Sequence, residues 1–150
     1  MRRILRFFVL SLGLAVSWPQ FAAAQVPHSI GQVRTATDAV VRRGGMEVPV
    51  SVGAAVFQDD VLVTGPAGSV GFVLNDDSVI TIGPSSVFKL TEFVFEPQDN
   101  KVGLLGEIYY GTMEYISGKI SKIAKDAAKF RTPYTTVAAR GTHLLIRGGR

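Results

Sequence analysis

Cysteine is absent from the 150 residues. No disulfide framework is available, and an exported fold would rest on its core alone. Histidine is scarce. His28 and His143 stand far apart, outside any ligand-spaced cluster. A zinc site gathers several such ligands, so no metal and no other cofactor is expected. No G-x-S-x-G elbow occurs: Ser69 lies in A-G-S-V-G, whose first residue is Ala67. No glycine-rich phosphate loop opens a helix. The enzyme classes that short motifs announce are therefore unsupported.

A one-sided charge is also missing once the start of the chain is set aside. Sixteen Lys and Arg face twelve acids, for a net +4. Arg2, Arg3 and Arg6 form a basic start, Phe7 to Val16 is almost wholly apolar, and Ala22-Ala23-Ala24 supplies small residues. This order predicts a secretory signal peptide over 1–24, cleaved after Ala24. The competing reading is an uncleaved membrane anchor. The apolar run is short for a span of about 20 residues, and Trp18-Pro19-Gln20 breaks it. Without the signal, thirteen basic residues face twelve acids, or +1. Nucleic acid is not an expected partner of so neutral a chain. No second apolar stretch is long enough to cross a bilayer. The expected destination is the periplasm or the cell surface.

What remains reads as strands. From Asp60 to Leu90, Val70, Phe72 and Leu74 alternate, as do Ile80 with Ile82 and Phe88 with Leu90. Period-two spacing puts these side chains on one face of a pleated sheet. Gly65-Pro66-Ala67-Gly68, Asn75-Asp76-Asp77 and Gly83-Pro84-Ser85-Ser86 are turn sequences between them. Residues 25–55 are expected to supply leading strands. Arg42-Arg43-Gly44-Gly45 would be their turn, and Pro49 would mark an edge. Two further strands are expected within Val102 to Ile116, where Gly103, Gly106 and Gly111 would mark turns, bulges or close approach. The last strands are read over Tyr134 to Ala138 and His143 to Arg147. Ile120, Ile123, Ala124 and Ala127 fall at helical spacing. They predict one short helix near 118–129, capped by Ser117. The fold class is all-β: an antiparallel sandwich or roll, or a solenoid-like stack of short strands.

Three groups of residues are candidates for chemistry. Asp59-Asp60, Asp76-Asp77 and Glu92 with Glu96 are paired carboxylates, but adjacent Asp residues in strands and turns point apart or bond locally. Phe93, Phe95, Tyr109, Tyr110 and Tyr115 would either stack on sugars or fill the core, with core favoured for the Phe pair. Lys119, Lys122, Lys125, Lys129 and Arg131 face a single acid, Asp126. They form either a solvated helix face or a contact for anionic glycan or lipid headgroups.

The order D-x-x-x-T-G, F-x-L-x-D-x-S and I-G-P-x-S, carried by Asp60, Thr64, Gly65, Phe72, Leu74, Asp76, Ser78, Ile82, Pro84 and Ser86, resembles the FecR domain family. The likeness continues through Leu104 to Gly111. It ends in a T-P and R-G-T close: Thr132-Pro133 and Arg140-Gly141-Thr142. It covers about Val56 to Ile146 and implies a domain over 56–147. The resemblance implies a non-enzymatic, all-β domain. The family's best-understood members pass an iron-siderophore signal across the membrane to a sigma factor. They do so with a cytoplasmic region and a membrane helix, and the expectation here is the exported domain alone.

The expected function is therefore a non-catalytic exported module that binds or senses a protein or glycan partner in the cell envelope. The alternatives are a small envelope enzyme acting on saccharides and a scaffold that assembles through strand edges. Phe72, Leu74, Ile80 and Ile82 are expected to face inward together. Arg140 is expected to hold a turn carboxylate, Asp76 or Asp60 foremost, or backbone carbonyls, and so to close the fold.

Overall fold

The computed structural model describes residues 28–149; the proposed signal peptide and its cleavage site lie outside them. Among the described residues, eleven strands form one mixed sheet. They are β1 (Gly31–Arg43), β2 (Met46–Pro49), β3 (Ala55–Val56), β4 (Val61–Leu74), β5 (Val79–Ile82) and β6 (Val87–Glu96), then β7 (Lys101–Tyr110), β8 (Thr112–Ile116), β9 (Ala128–Arg131), β10 (Thr136–Ala138) and β11 (His143–Arg147). The all-β expectation with one short helix holds. The sheet curls into a half-barrel around one core rather than stacking as two layers.

Strand β4 is the hub. One edge pairs with β1 along its length. The other edge pairs with β6 over Val61–Val63 and with β5 over Val70–Val73. The change of partner falls at Gly65-Pro66-Ala67-Gly68. This segment is not a turn between strands, as the sequence suggested. It is a bulge inside β4: Thr37 pairs with Ser69 and Ala39 with Thr64, so only Asp38 lies opposite four residues. A bulge bends its strand and raises its twist, which curls the sheet.

Inward residues follow the period-two reading. Phe72, Leu74, Ile80, Ile82, Phe88 and Leu90 are all buried, at 2% exposure or less. Phe93 is buried too, and Phe95 packs against the core. Tyr115 lies in the core beside Phe130, with ring centroids 4.8 Å apart. Gly106 allows this packing, since a Cβ there would sit 2.8–2.9 Å from the rings of Phe88 and Phe130. Gly111 turns β7 into β8 at φ +84°, a conformation that costs glycine little.

The predicted helix is much shorter than its pattern. Only Ile120–Ile123 is helical, as α1, and its N-cap is Lys119 rather than Ser117. From Ala128 the chain pairs with β7 in parallel, Leu104 with Ala128 through Glu107 with Arg131. The segment A-K-F-R buries Ala128 and Phe130 and exposes Lys129 and Arg131. Docking on an open sheet edge outweighs a weak helical period, because isolated short helices are marginal. Lys129 and Arg131 therefore stand on a strand. Tyr134, expected at the start of the next strand, is 84% exposed in the turn before β10.

Candidate functional site

The buried polar residues among the described ones are Asp60, Thr64, Asp76, Ser78 and Ser86. All five belong to the D…T-G…D-x-S…S pattern. Each closes a corner of the fold. Asp60 accepts two hydrogen bonds from Arg43, both at 2.6 Å, and one from the Phe57 N–H at 2.9 Å. The bond to Asp60 is the main reason the Arg43 pKa is raised, against the opposing effect of burial. Thr64 Oγ1 donates to the Gly83 carbonyl at 2.7 Å and accepts from the Ser86 N–H at 2.9 Å. Asp76 accepts from the Ser78 N–H and hydroxyl and from the Ile120 N–H. It ties the β4–β5 turn to the start of α1. These carboxylates and hydroxyls act within the fold, as turn chemistry predicts.

The expectation for Arg140 is met only in kind: it bonds a turn carboxylate, but not either of the acids expected. Its Nε donates to Asp126 at 2.6 Å, on the surface, and neither Asp60 nor Asp76 is its partner. Arg43 already occupies the Asp60 position, and Asp76 is satisfied by neighbours on its own turn and on α1. Gly141 is exposed in the loop before β11; Thr142 is exposed too, and its carbonyl accepts the Ser117 N–H. Thr132 Oγ1 accepts the Tyr134 and Thr135 N–H groups and shapes the β9–β10 turn with Pro133.

The basic cluster is dispersed. Lys119 pairs with Asp77 at 2.8 Å, and this bond leads the causes that raise its pKa. Lys122 lies on α1 and Lys125 in the loop after it, both exposed. Only Lys129 and Arg131 come together, on the outer face of the sheet. There the register builds two rows across strands. One runs Lys89, Glu107, Arg131, Thr136; the other runs Glu92, Leu105, Lys129, Ala138. Arg131 bonds Glu107 at 2.9 Å, and Tyr109 donates its hydroxyl to the same carboxylate at 2.7 Å. That bond is the first cause of the raised Tyr109 pKa, followed by burial and the Glu107 charge.

Between these rows and the near end of β9 lies a hollow of about 450 Å³. Glu92, Leu105, Lys129, Arg131 and Thr136 line it, and Gly103 leaves part of its wall bare. Its charged side chains are one acid, Glu92, and two cations, Lys129 and Arg131, the latter paired with Glu107 beside it. Glu92, Gly103 and Glu107 carried no weight in the sequence reading of the basic cluster. The alternation A-K-F-R was the signal that could have put Lys129 and Arg131 together on one face of a strand.

Among the described residues, no three His, Asp or Glu side chains gather as metal ligands. No helix of the described residues is long and apolar enough to cross a membrane. No family model, curated protein or solved structure matches the chain. The fold and the hollow define a small all-β domain with a polar concavity on its outer face.

Proposed function

We propose that the protein is an exported, non-catalytic FecR-like module of the cell envelope, and that its outer groove binds a hydroxyl-rich glycan segment. The observation that carries this reading is the balance of the groove. Glu92 lines the groove with Lys129 and Arg131, and Glu107, beside it on β7, pairs with Arg131, so the cations of the concavity are largely compensated. Such a surface suits a neutral polymer with many hydroxyls better than a polyanion, which would need uncompensated cations. An anionic glycan or lipid headgroup, the other reading of the lysine run, would meet Lys119 and Arg131 already paired with Asp77 and Glu107. Tyr109, 37% exposed beside the groove, adds an aromatic edge against which a sugar ring can pack.

Two measurements test this. N-terminal sequencing of periplasmic material is expected to start at Gln25; a membrane-held product retaining Met1 contradicts export. Calorimetric titration is expected to show neutral oligosaccharides binding more tightly than oligouronates, with Lys129→Ala and Glu92→Ala both weakening the interaction. Release of new reducing ends during incubation would instead make the protein an enzyme.

A further inference from the structure

The geometry points to a second, separate ligand site: a hollow inside the bend of β1 that takes one aliphatic chain with an anionic head. The β1–β4 pairing breaks register twice, at Val33/Thr35, where β1 has the extra residue, and at Thr37/Ala39, where β4 has the extra ones. These breaks fold β1 so far that Arg43, at its end, reaches the carbonyl of Ala55, whose register partner Gln32 lies at its beginning. The bend encloses a half-open cavity of about 240 Å³. It lies on β1–β4, away from the groove on β6, β7 and β9, and does not depend on the function proposed for that groove.

Apart from Arg43 and Asp60, the wall is aliphatic. Val33, Val56 and Leu62 line it from the core, and Met46 and Val48 line it from β2, where they are 68% and 48% exposed. Exposed apolar side chains gathered round an apolar hollow mark a binding surface more often than chance. Small aliphatic cavities stay dry and accept apolar guests. The volume falls below the roughly 300–1,000 Å³ of drug-sized sites, which favours a single chain over a fused ring system.

The head is specified by Arg43, which lines the same hollow together with the carboxylate it is paired with, Asp60. Its Nε and Nη2 are engaged by Asp60 and the Ala55 carbonyl. Its Nη1 makes no hydrogen bond among the described residues. A guanidinium with free N–H donors is suited to a carboxylate or phosphate. A free fatty acid and a membrane phospholipid share this chemistry of alkyl chain plus anion.

The test uses the full exported chain with methyl labels on Val and Met. Titration with decanoate below its micelle concentration, with decanol, and with phosphatidylglycerol vesicles reads the two sources and the head separately. The expected result is saturable binding of decanoate, with shifts centred on Met46 and Val48 and with decanol weaker. Val48→Asp, which puts a carboxylate at the rim, is expected to bind decanoate at least about tenfold more weakly at an unchanged melting temperature. Met46→Glu serves the same purpose should Val48→Asp unfold. Binding to vesicles without binding to free decanoate assigns the ligand to membrane lipid; the converse assigns it to free acid. Failure of both, shifts remote from the hollow, or equal binding by the acidic rim variant overturns the proposal.

Discussion

Arg43 holds Asp60 with two arms, Nε on one carboxylate oxygen and Nη2 on the other, each at 2.6 Å. The two partners are unequal: the Asp60 side chain is 2% exposed and that of Arg43 45%. The guanidinium lies over the Phe57 ring, 4.3 Å from its centroid. Together they fasten the end of β1 to the start of β4.

This inequality predicts an order of effects. Arg43→Ala leaves a buried carboxylate with only the Phe57 N–H, and is expected to destabilise by about 3 kcal/mol. Asp60→Asn leaves a cation that water still reaches, and is expected to cost about 1–2 kcal/mol. Arg43→Lys should recover little, because an ammonium cannot reproduce the two-armed contact. Urea midpoints for the three variants check this. A larger loss for Asp60→Asn than for Arg43→Ala would mean that the buried carboxylate does not depend on the pair.

The core makes a simpler prediction. Phe72 is fully buried, 6.2 Å from Phe88 between ring centroids. Phe72→Ala is expected to cost about 3–5 kcal/mol. Lys89 pairs with Asp59 at 2.8 Å on the outer face of the same sheet. Lys89→Ala is expected to cost less than about 1 kcal/mol. Similar urea midpoints for the two variants would contradict the assignment of inner and outer faces.

Much of this fold was legible because period-two alternation survives tertiary packing. Phe72, Leu74, Ile80 and Ile82 meet inside as their spacing requires. The turns at Asp59 and Asp77 were legible for the same local reason: both adopt positive φ near 67°, which Asp tolerates better than most residues. Two features escaped. The parallel docking of β9 on β7 joins residues about 24 positions apart, and no local signal announces it. The long bulge at Gly65 to Gly68 looks like a turn in sequence, since the same residue types serve both. The candidate groove was half visible: its cations stood out as a run, but its acids come from β6 and β7, which only the register brings alongside.

Arg140 now carries the opposite expectation from the one its sequence position suggested. Its partner, Asp126, has a side chain 57% exposed, and its own is 76% exposed. Exposed pairs contribute about 0–1 kcal/mol. Arg140→Ala is therefore expected to leave the melting temperature nearly unchanged in calorimetry. A sharp drop would require a buried contact that Arg140 does not make here.

Tyr109 makes a prediction in pH. Its hydrogen bond to Glu107 holds the phenol proton, so its folded pKa lies above the ordinary value of 10.0. A group whose pKa is raised on folding contributes stability that is full below the unfolded value and is lost as pH rises through the folded one. Tyr109→Phe is therefore expected to cost stability at neutral pH, with the difference from wild type shrinking above about pH 10. Paired urea titrations across that range, with tyrosinate absorbance as the titration readout, check it. A difference that grows with pH would reverse the sign and exclude the Glu107 bond as its cause.

The buried chain that starts at Asp76 makes the last prediction. Ser78 donates its hydroxyl to Asp76 at 2.7 Å and accepts the Gly118 N–H at 3.0 Å. The Ser78 hydroxyl lies 3.3 Å from that of Tyr115, which in turn lies 3.2 Å from that of Ser121. Asp76 also accepts the Ile120 N–H at 3.2 Å, so one carboxylate joins the β4–β5 turn to α1. Asp76→Asn places an amide donor among groups that donate, and each buried group left unsatisfied costs roughly 1–3 kcal/mol. It is expected to be the most damaging change of the set. Ser78→Ala orphans the Gly118 N–H and removes one donor to Asp76, for about 2–3 kcal/mol. Tyr115→Phe removes only longer bonds and is expected to cost about 0.5–1.5 kcal/mol. Hydrogen exchange at the Ile120 amide separates a local effect from a global one: it should quicken selectively in Asp76→Asn. Slow exchange there, or a Tyr115→Phe loss exceeding that of Ser78→Ala, would show that the turn and α1 are held together by something other than this carboxylate.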